Sequence, residues 1–200
     1  MSPAENMQPD PNYRSWLKLL NASPKLYKSW QGHGFRFVSL EYCKPDQILS
    51  GIGSFKCGAR WNAAGSAKAC YTSLTKQTAV AEADAHAEYY GFSREQLRPR
   101  LLVAVEFRLS RVIDLTQGSN VGTFNLARAL GEDWRKTNDG GKESLTQAFG
   151  RAVFDAGAEA LLVPSARVKA GVNLVFFPDN KLPGGIARIV DEESLKSLKP

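Results

Sequence analysis

SLTQAFGRAVFDAGAEALLVPSARVKAGVNLVFF, residues 144–177, decides the fold class. Ser144 with Gln147 three positions later is a capping-box pattern, in which each side chain can bond the other's backbone N–H. It predicts a helix from Leu145 to Ala156, closed by Gly157, a residue free to take the left-handed conformation that ends helices. The apolar runs Ala160–Val163 and Val172–Phe177 then read as strands, and Ala187–Val190 as a third. Strands that follow one another without an intervening helix do not fit a doubly wound parallel sheet. They predict an α+β fold.

Upstream of that stretch, Tyr13, Trp16, Leu17 and Leu20 fall at i, i+3, i+4 and i+7, one face of a short helix. Residues 1–12 hold three prolines and no period, so residues 1–34 are expected to be a flexible leader and this helix, with the main domain from 35 to 200. Phe35–Leu40 reads as a strand. Residues 44–66, rich in Gly, Pro, Ser and Asn, read as a long ordered loop, a feature that tends to carry function. A short strand at Ala69–Ser73 precedes an alanine-rich helix, about Lys76–Tyr90, capped by Thr75 and stopped at Gly91. Leu101–Leu109 and Val112–Leu115 are expected as two strands, Phe124–Leu130 as a helix, and 132–143 as a polar loop. Asp191 is expected to cap a C-terminal helix.

Composition removes several function classes. In 200 residues, 43% are hydrophobic and 23% charged, an ordinary globular mix rather than a disordered one. No run of eighteen apolar residues occurs, so no spanning helix and no membrane partner are expected. The N-terminus has neither a basic start nor an apolar stretch, so no secretory signal is expected. Cys43, Cys57 and Cys70 fit neither a disulfide framework nor a zinc pattern, and there are two histidines. Reduced thiols in a cytoplasmic protein with no metal are the simplest reading. Lys and Arg total 26 against 20 Asp and Glu, a formal charge of +6. Nine basic and four acidic residues lie before residue 75, so the excess is concentrated there. A basic half can attract a phosphate-bearing ligand, but with no dense Lys/Arg run the charge by itself favours a mildly basic solvated surface. A non-enzymatic basic module touching nucleic acid is a third reading. The lack of aromatics interleaved in a basic stripe argues against it, and direct nucleic-acid binding is not expected.

Familiar motifs fail. Gly51 and Gly53 have Lys56 where a dinucleotide fingerprint needs glycine, and Gly140-Gly141-Lys142-Glu143-Ser144 lacks the Lys–Ser/Thr pair of a phosphate loop. His33 and His86 lie far apart with no nucleophile elbow, and His86 reads as an ordinary helix residue. Three polar residues stand in unusual contexts instead. Arg36 interrupts the apolar strand between Phe35 and Phe37, Glu82 sits among alanines on a helix, and Ser165 follows Pro164 where a strand exits. Each has an ordinary alternative: an outward strand residue, a solvated helix charge, a turn residue.

Together with their surroundings these residues resemble the RES domain family. The resemblance rests on Arg36-Phe37, residues 53–65 (GSFKCGARWNAAG), 70–74 (CYTSL), 78–82 (TAVAE), 146–150 (TQAFG), 164–167 (PSAR) and 171–177 (GVNLVFF). These pieces occur in the family's order and span about Phe35 to Asn180. The family is named for an arginine, a glutamate and a serine, which fall on Arg36, Glu82 and Ser165, with Arg60 a second candidate for the arginine. The resemblance implies an ADP-ribosyltransferase-like split β-sheet core with surrounding helices, here with an N-terminal helical extension. It also implies NAD as substrate, consumed by hydrolysis or phosphorolysis, or used to transfer ADP-ribose to a protein. Members are toxins of bacterial toxin–antitoxin pairs, so a cognate antitoxin or immunity protein occluding the site is implied. The leader and helix before Phe35, and Cys57-Gly58-Ala59 in place of paired glycines, depart from many relatives.

The chemistry suits the residues. Cleaving the nicotinamide–ribose bond develops positive charge on the ribose, which a carboxylate such as Glu82 can stabilise. A pyrophosphate suits the bidentate donors of Arg36 and Arg60. Tyr71 can stack on nicotinamide, and Ser165 can hydrogen-bond the ligand. Trp61 and Asn62 either shape the loop against the adenine side or simply pack it. Asn173, between Val172 and Leu174, is a polar residue on a sheet face and completes the candidate set around the dinucleotide.

Overall fold

A computed structural model describes residues 7–93, 96 and 99–192. Among them, six strands form one mixed sheet: β1 (Tyr27–Ser39), β2 (Cys70–Ser73), β3 (Arg100–Asp114), β4 (Ala160–Pro164), β5 (Val172–Phe176) and β6 (Ile186–Ile189). The order is β1-β2-β5-β4-β3-β6, and β1 also pairs with β3, so the first five strands close on themselves with β6 as an outer edge. Every pairing is antiparallel except β3 with β4. β1 and β3 run together from Tyr27↔Ile113 to Ser39↔Arg100, whereas β1 meets β2 at the single pair Phe35↔Ser73. The sheet therefore opens beyond that pair. The fold is α+β, as the strand succession predicts.

The helices are α1 (Asn12–Ala22), α2 (Pro45–Ile48), α3 (Ile52–Cys57), α4 (Lys76–Tyr89), α5 (Gly118–Thr123), α6 (Ala127–Leu130), α7 (Trp134–Asp139) and α8 (Leu145–Asp155). Both halves of the predicted capping box form at the start of α8. Alternation along β4 and β5 explains the layers. Leu161, Val163 and Val175 face one core with Trp16, Trp61, Phe149 and Val153, while Ala160, Leu162, Leu174 and Phe176 face a second with Val105 and Phe107. Strands buried on both faces read as continuous apolar runs, which is why 160–163 and 172–177 stand out in the sequence. α1 packs on α8 through Trp16, whose ring meets Phe149 edge-on at 5.5 Å and whose Nε1 donates to the Phe124 carbonyl.

Several elements differ from expectation. β1 begins at Tyr27, so a boundary at residue 34 falls inside a strand. Gly32, His33 and Gly34 dilute its apolar signal, yet Gly34 is needed there: a Cβ would lie 2.4 Å from Thr72 Oγ1 on β2. The two strands expected at 101–115 are one, because pairing with β1 runs from Arg100 to Ile113; at the irregularity in that ladder the Ser110 and Arg111 amides donate instead to the buried Glu159 carboxylate, at 2.7 and 3.0 Å. The 44–66 loop contains α2 and α3, and the polar 132–143 loop contains α7, capped by the Asp133 side chain. The helix expected at 124–130 is cut to α6, Ala127–Leu130, while α5 precedes it at Gly118–Thr123, and Asn125 at φ 53° stands between the two. The described part of the leader is tied down: Gln8 donates to the Gly141 carbonyl and accepts from the Glu143 amide. The helix expected after Asp191 lies largely outside the described residues.

Candidate functional site

Where β1 and β2 part, a cavity of about 590 Å3 opens beneath α4. Arg36 reaches it from β1, Tyr71 and Ser73 from β2, Asn173 from β5 and Glu82 from α4, with Arg60 on the segment after α3. Residues up to 137 positions apart in sequence thus share one wall.

Glu82 is the most tightly held of them. Thr75 starts α4 by accepting a bond from the Thr78 amide. Ala79, Ala83 and Ala85 present only methyl groups to the cavity, so the helix comes close and its carboxylate enters. Glu82 Oε1 accepts three hydrogen bonds, from Ser165 Oγ at 2.6 Å, Asn173 Nδ2 at 2.8 Å and the Ala166 amide at 3.2 Å. Charge-assisted bonds of this length are the strong ones. Oε2 has no hydrogen bond among the described residues. Asn173 is fixed in turn, since its Oδ1 accepts from Ser73 Oγ at 2.7 Å.

Ser165 does not line the cavity. Its hydroxyl donates to Glu82 and accepts from the Arg167 and Val168 amides at 3.1 and 3.0 Å, which uses its one donor and both lone pairs. Gly171 lets this turn fold back, because a Cβ there would sit 3.0 Å or less from Val168 Cβ, Ser165 Cβ and Thr78 Oγ1. Ser165 and Asn173 therefore act on Glu82.

The two arginines are held differently. Arg36 Nη1 faces Cys70 Sγ at 3.2 Å and the Tyr71 carbonyl at 3.4 Å, and its Nε is buried without a hydrogen-bond partner among the described residues. Arg60 Nη1 donates to the carbonyls of Leu130 and Glu132 at 3.4 and 3.3 Å. Burial lowers the Arg60 pKa, while the nearby Glu82 carboxylate pulls it back up.

Tyr71 presents its ring to the cavity, and its hydroxyl is engaged behind: it accepts from the Trp61 amide at 3.0 Å and donates to Asn62 Oδ1 at 2.8 Å. Burial raises its pKa strongly, against the opposing influence of the Trp61 amide and Arg60. Asn62 is 1% exposed, and its Nδ2 donates to the Ser54 and Ala67 carbonyls. Asn62 clasps the loop and does not line the cavity. Trp61, 2% exposed, packs its ring on Phe149 and contributes little surface. The loop is seated on α8 through Gly150, where a Cβ would lie 1.8 Å from the Trp61 carbonyl oxygen.

Sequence reasoning passed over Arg135, Trp134, Tyr90 and Arg167, all on the cavity wall, and His86, read as an ordinary helix residue, is there too. Partial burial, then the Arg135 and Arg100 charges, lower the His86 pKa. Cys43 and Cys70 are buried free thiols and Cys57 an exposed one. Among the described residues, no three His, Cys, Asp or Glu side chains converge as metal ligands, and no helix is long and apolar enough to cross a membrane.

The family model of the RES domain matches residues 35–196. The fold is similar to a solved chain in the crystal structure of the M. tuberculosis MbcT–MbcA toxin–antitoxin complex: TM-score 0.67 and 20% identity, over 94% of this chain and 97% of that one. Among curated proteins none matches.

Proposed function

This chain belongs to the RES domain family, and from that premise we propose that it consumes NAD by cleaving the nicotinamide–ribose bond. The single observation that carries the reading is the Glu82 carboxylate: one oxygen fixed by three donors, the other free, on a cavity wall it shares with Arg36 and Arg60.

In the proposed reaction the bond between ribose C1′ and the pyridinium nitrogen breaks, and its electron pair leaves with neutral nicotinamide. Positive charge grows on the ribose, and the preorganised carboxylate meets it through Oε2 with no reorganisation at the moment of reaction. Ser165 and Asn173 are positioning residues for that oxygen. Arg36 and Arg60 hold the pyrophosphate, and the Tyr71 ring covers the departing nicotinamide and excludes water from that side. Water or phosphate then attacks C1′ and loses a proton, giving ADP-ribose or its 1-phosphate. The cellular consequence is growth inhibition by depletion of cytoplasmic NAD. An antitoxin occluding the cavity is the expected partner, and the toxin–antitoxin complex in which the similar fold occurs supports it.

The test is to incubate purified protein with NAD, with and without phosphate, and to identify the products by mass. Release of nicotinamide is expected, together with a product whose mass names the acceptor. Persistence of NAD under all conditions refutes the reading. Label retained on protein after denaturation, with little free ADP-ribose, replaces it by protein ADP-ribosylation.

A further inference from the structure

The charge on the cavity wall exceeds what a dinucleotide needs. Four guanidiniums (Arg36, Arg60, Arg135 and Arg167) face a single carboxylate, Glu82, a net of three positive charges before His86 is considered. NAD brings two negative charges on its pyrophosphate and one positive on its pyridinium, so binding it leaves most of that excess unneutralised. Burying like charges around one cavity is costly without a counter-ion.

The surplus has a location. Glu82, His86 and Tyr90 follow at intervals of four residues along the cavity side of α4, about 12 Å from first to last at 1.5 Å per residue. Arg135 lies at the far end of this line, its guanidinium 4.0 Å from the Tyr89 ring and 4.4 Å from the Trp134 ring. A guanidinium stacked on aromatic rings is held in orientation while its in-plane N–H groups remain directed at acceptors. Arg135 Nε is buried without a hydrogen-bond partner among the described residues. Arg60 feels Arg135 and Arg167 as repelling charges and Glu82 and Asp133 as attracting ones, and His86 feels Arg135 and Arg100 as repelling charges.

We infer that this outer end is a phosphomonoester subsite, built on Arg135, which favours a dinucleotide carrying a third phosphate on its adenosine ribose. With Glu82 at the nicotinamide ribose, an extended dinucleotide places its adenosine ribose toward His86 and Tyr90, where Trp134 and Tyr90 can flank the base. A phosphate there adds nearly two negative charges and three acceptor oxygens, which brings the charge of cavity and ligand together close to balance. The inference rests on the dinucleotide reading above.

The test measures equilibrium binding of ADP-ribose and of its 2′-phosphate to the full chain at fixed salt, since neither probe has a nicotinamide bond to cleave. The phosphorylated probe is expected to bind at least about tenfold more tightly, the order of one or two charge-assisted hydrogen bonds. Arg135→Gln is expected to lose most of that preference, with a much smaller loss toward ADP-ribose. Equal or weaker binding of the phosphorylated probe overturns this inference and leaves the dinucleotide reading standing. Binding of neither probe overturns both, and a full preference retained in the variant removes Arg135 from the subsite.

Discussion

The two ends of the cavity are built on different principles. At the inner end Glu82 is fixed by hydrogen bonds from β5 and from the turn after β4, and each donor is itself held: Asn173 by Ser73, Ser165 by two backbone amides. At the outer end Arg135, on the short α7, is held by stacking on Tyr89 and Trp134, the last residue of α4 and the first of α7. Networks of directional bonds lose function steeply when one member is removed, whereas stacked contacts yield by degrees. Under the proposed function the inner end is the part that reacts and the outer end the part that selects.

That contrast can be broken at its foundation first. Gly150→Ala places a methyl 1.8 Å from the Trp61 carbonyl oxygen, and neither a helix interior nor a backbone oxygen can yield easily. Overpacking of this kind costs at least about 1–3 kcal/mol, roughly 2–4 °C of melting temperature per kcal/mol in a chain of this size. Thermal unfolding followed by circular dichroism is expected to show that drop together with loss of the site. An unchanged midpoint means that the loop is not seated as described.

Within a folded protein the largest effect is expected at the inner end. Glu82→Gln is expected to slow nicotinamide release by a factor on the order of 10² to 10³, the scale of losing one preorganised electrostatic group. Ser165→Ala and Asn173→Ala each remove one donor to the carboxylate, about 1.5–3 kcal/mol, so turnover falls roughly tenfold to a hundredfold. Because both act by holding the Glu82 carboxylate, the loss is expected in kcat with little change in KM, most cleanly for Ser165→Ala, whose side chain lies off the cavity. A rise in KM alone contradicts their positioning role.

The smallest effect concerns Tyr71 and shows itself in alkali. Its folded pKa lies well above 10 because of burial, while the unfolded phenol ionises near 10. The stabilisation is thus complete below pH 10 and is lost as pH rises from there toward the folded value. Tyr71→Phe is expected to show a shallower decline in urea stability between pH 9 and 11 than the parent. Parallel curves contradict the buried, bonded hydroxyl.

The inner end was far more legible in the sequence than the outer. Glu82 among alanines, Ser165 after an apolar run and Arg36 inside one are local anomalies, and a sequence displays local anomalies well. Their mutual arrangement was less legible: Ser165 read as a ligand contact, whereas its hydroxyl is engaged by Glu82, a partner 83 residues away. Asn173 was similarly ambiguous, since its link to Glu82 spans 91 residues. Arg135 lies in a polar stretch whose cap, Asp133, is the single local sign of α7, and nothing near it in sequence announces Tyr89. The fold class followed from 144–177 because strands buried on both faces leave an unbroken apolar signature. β1 was half missed because close approach to β2 demands Gly34, a residue that weakens any strand pattern.

The most direct test of the central claim compares nicotinamide release from NAD by the parent chain and by Glu82→Gln, both shown to be folded by their melting curves. Steady release by the parent and a loss of at least about a hundredfold in the variant is the expected result. Equal turnover by the two proteins contradicts the account.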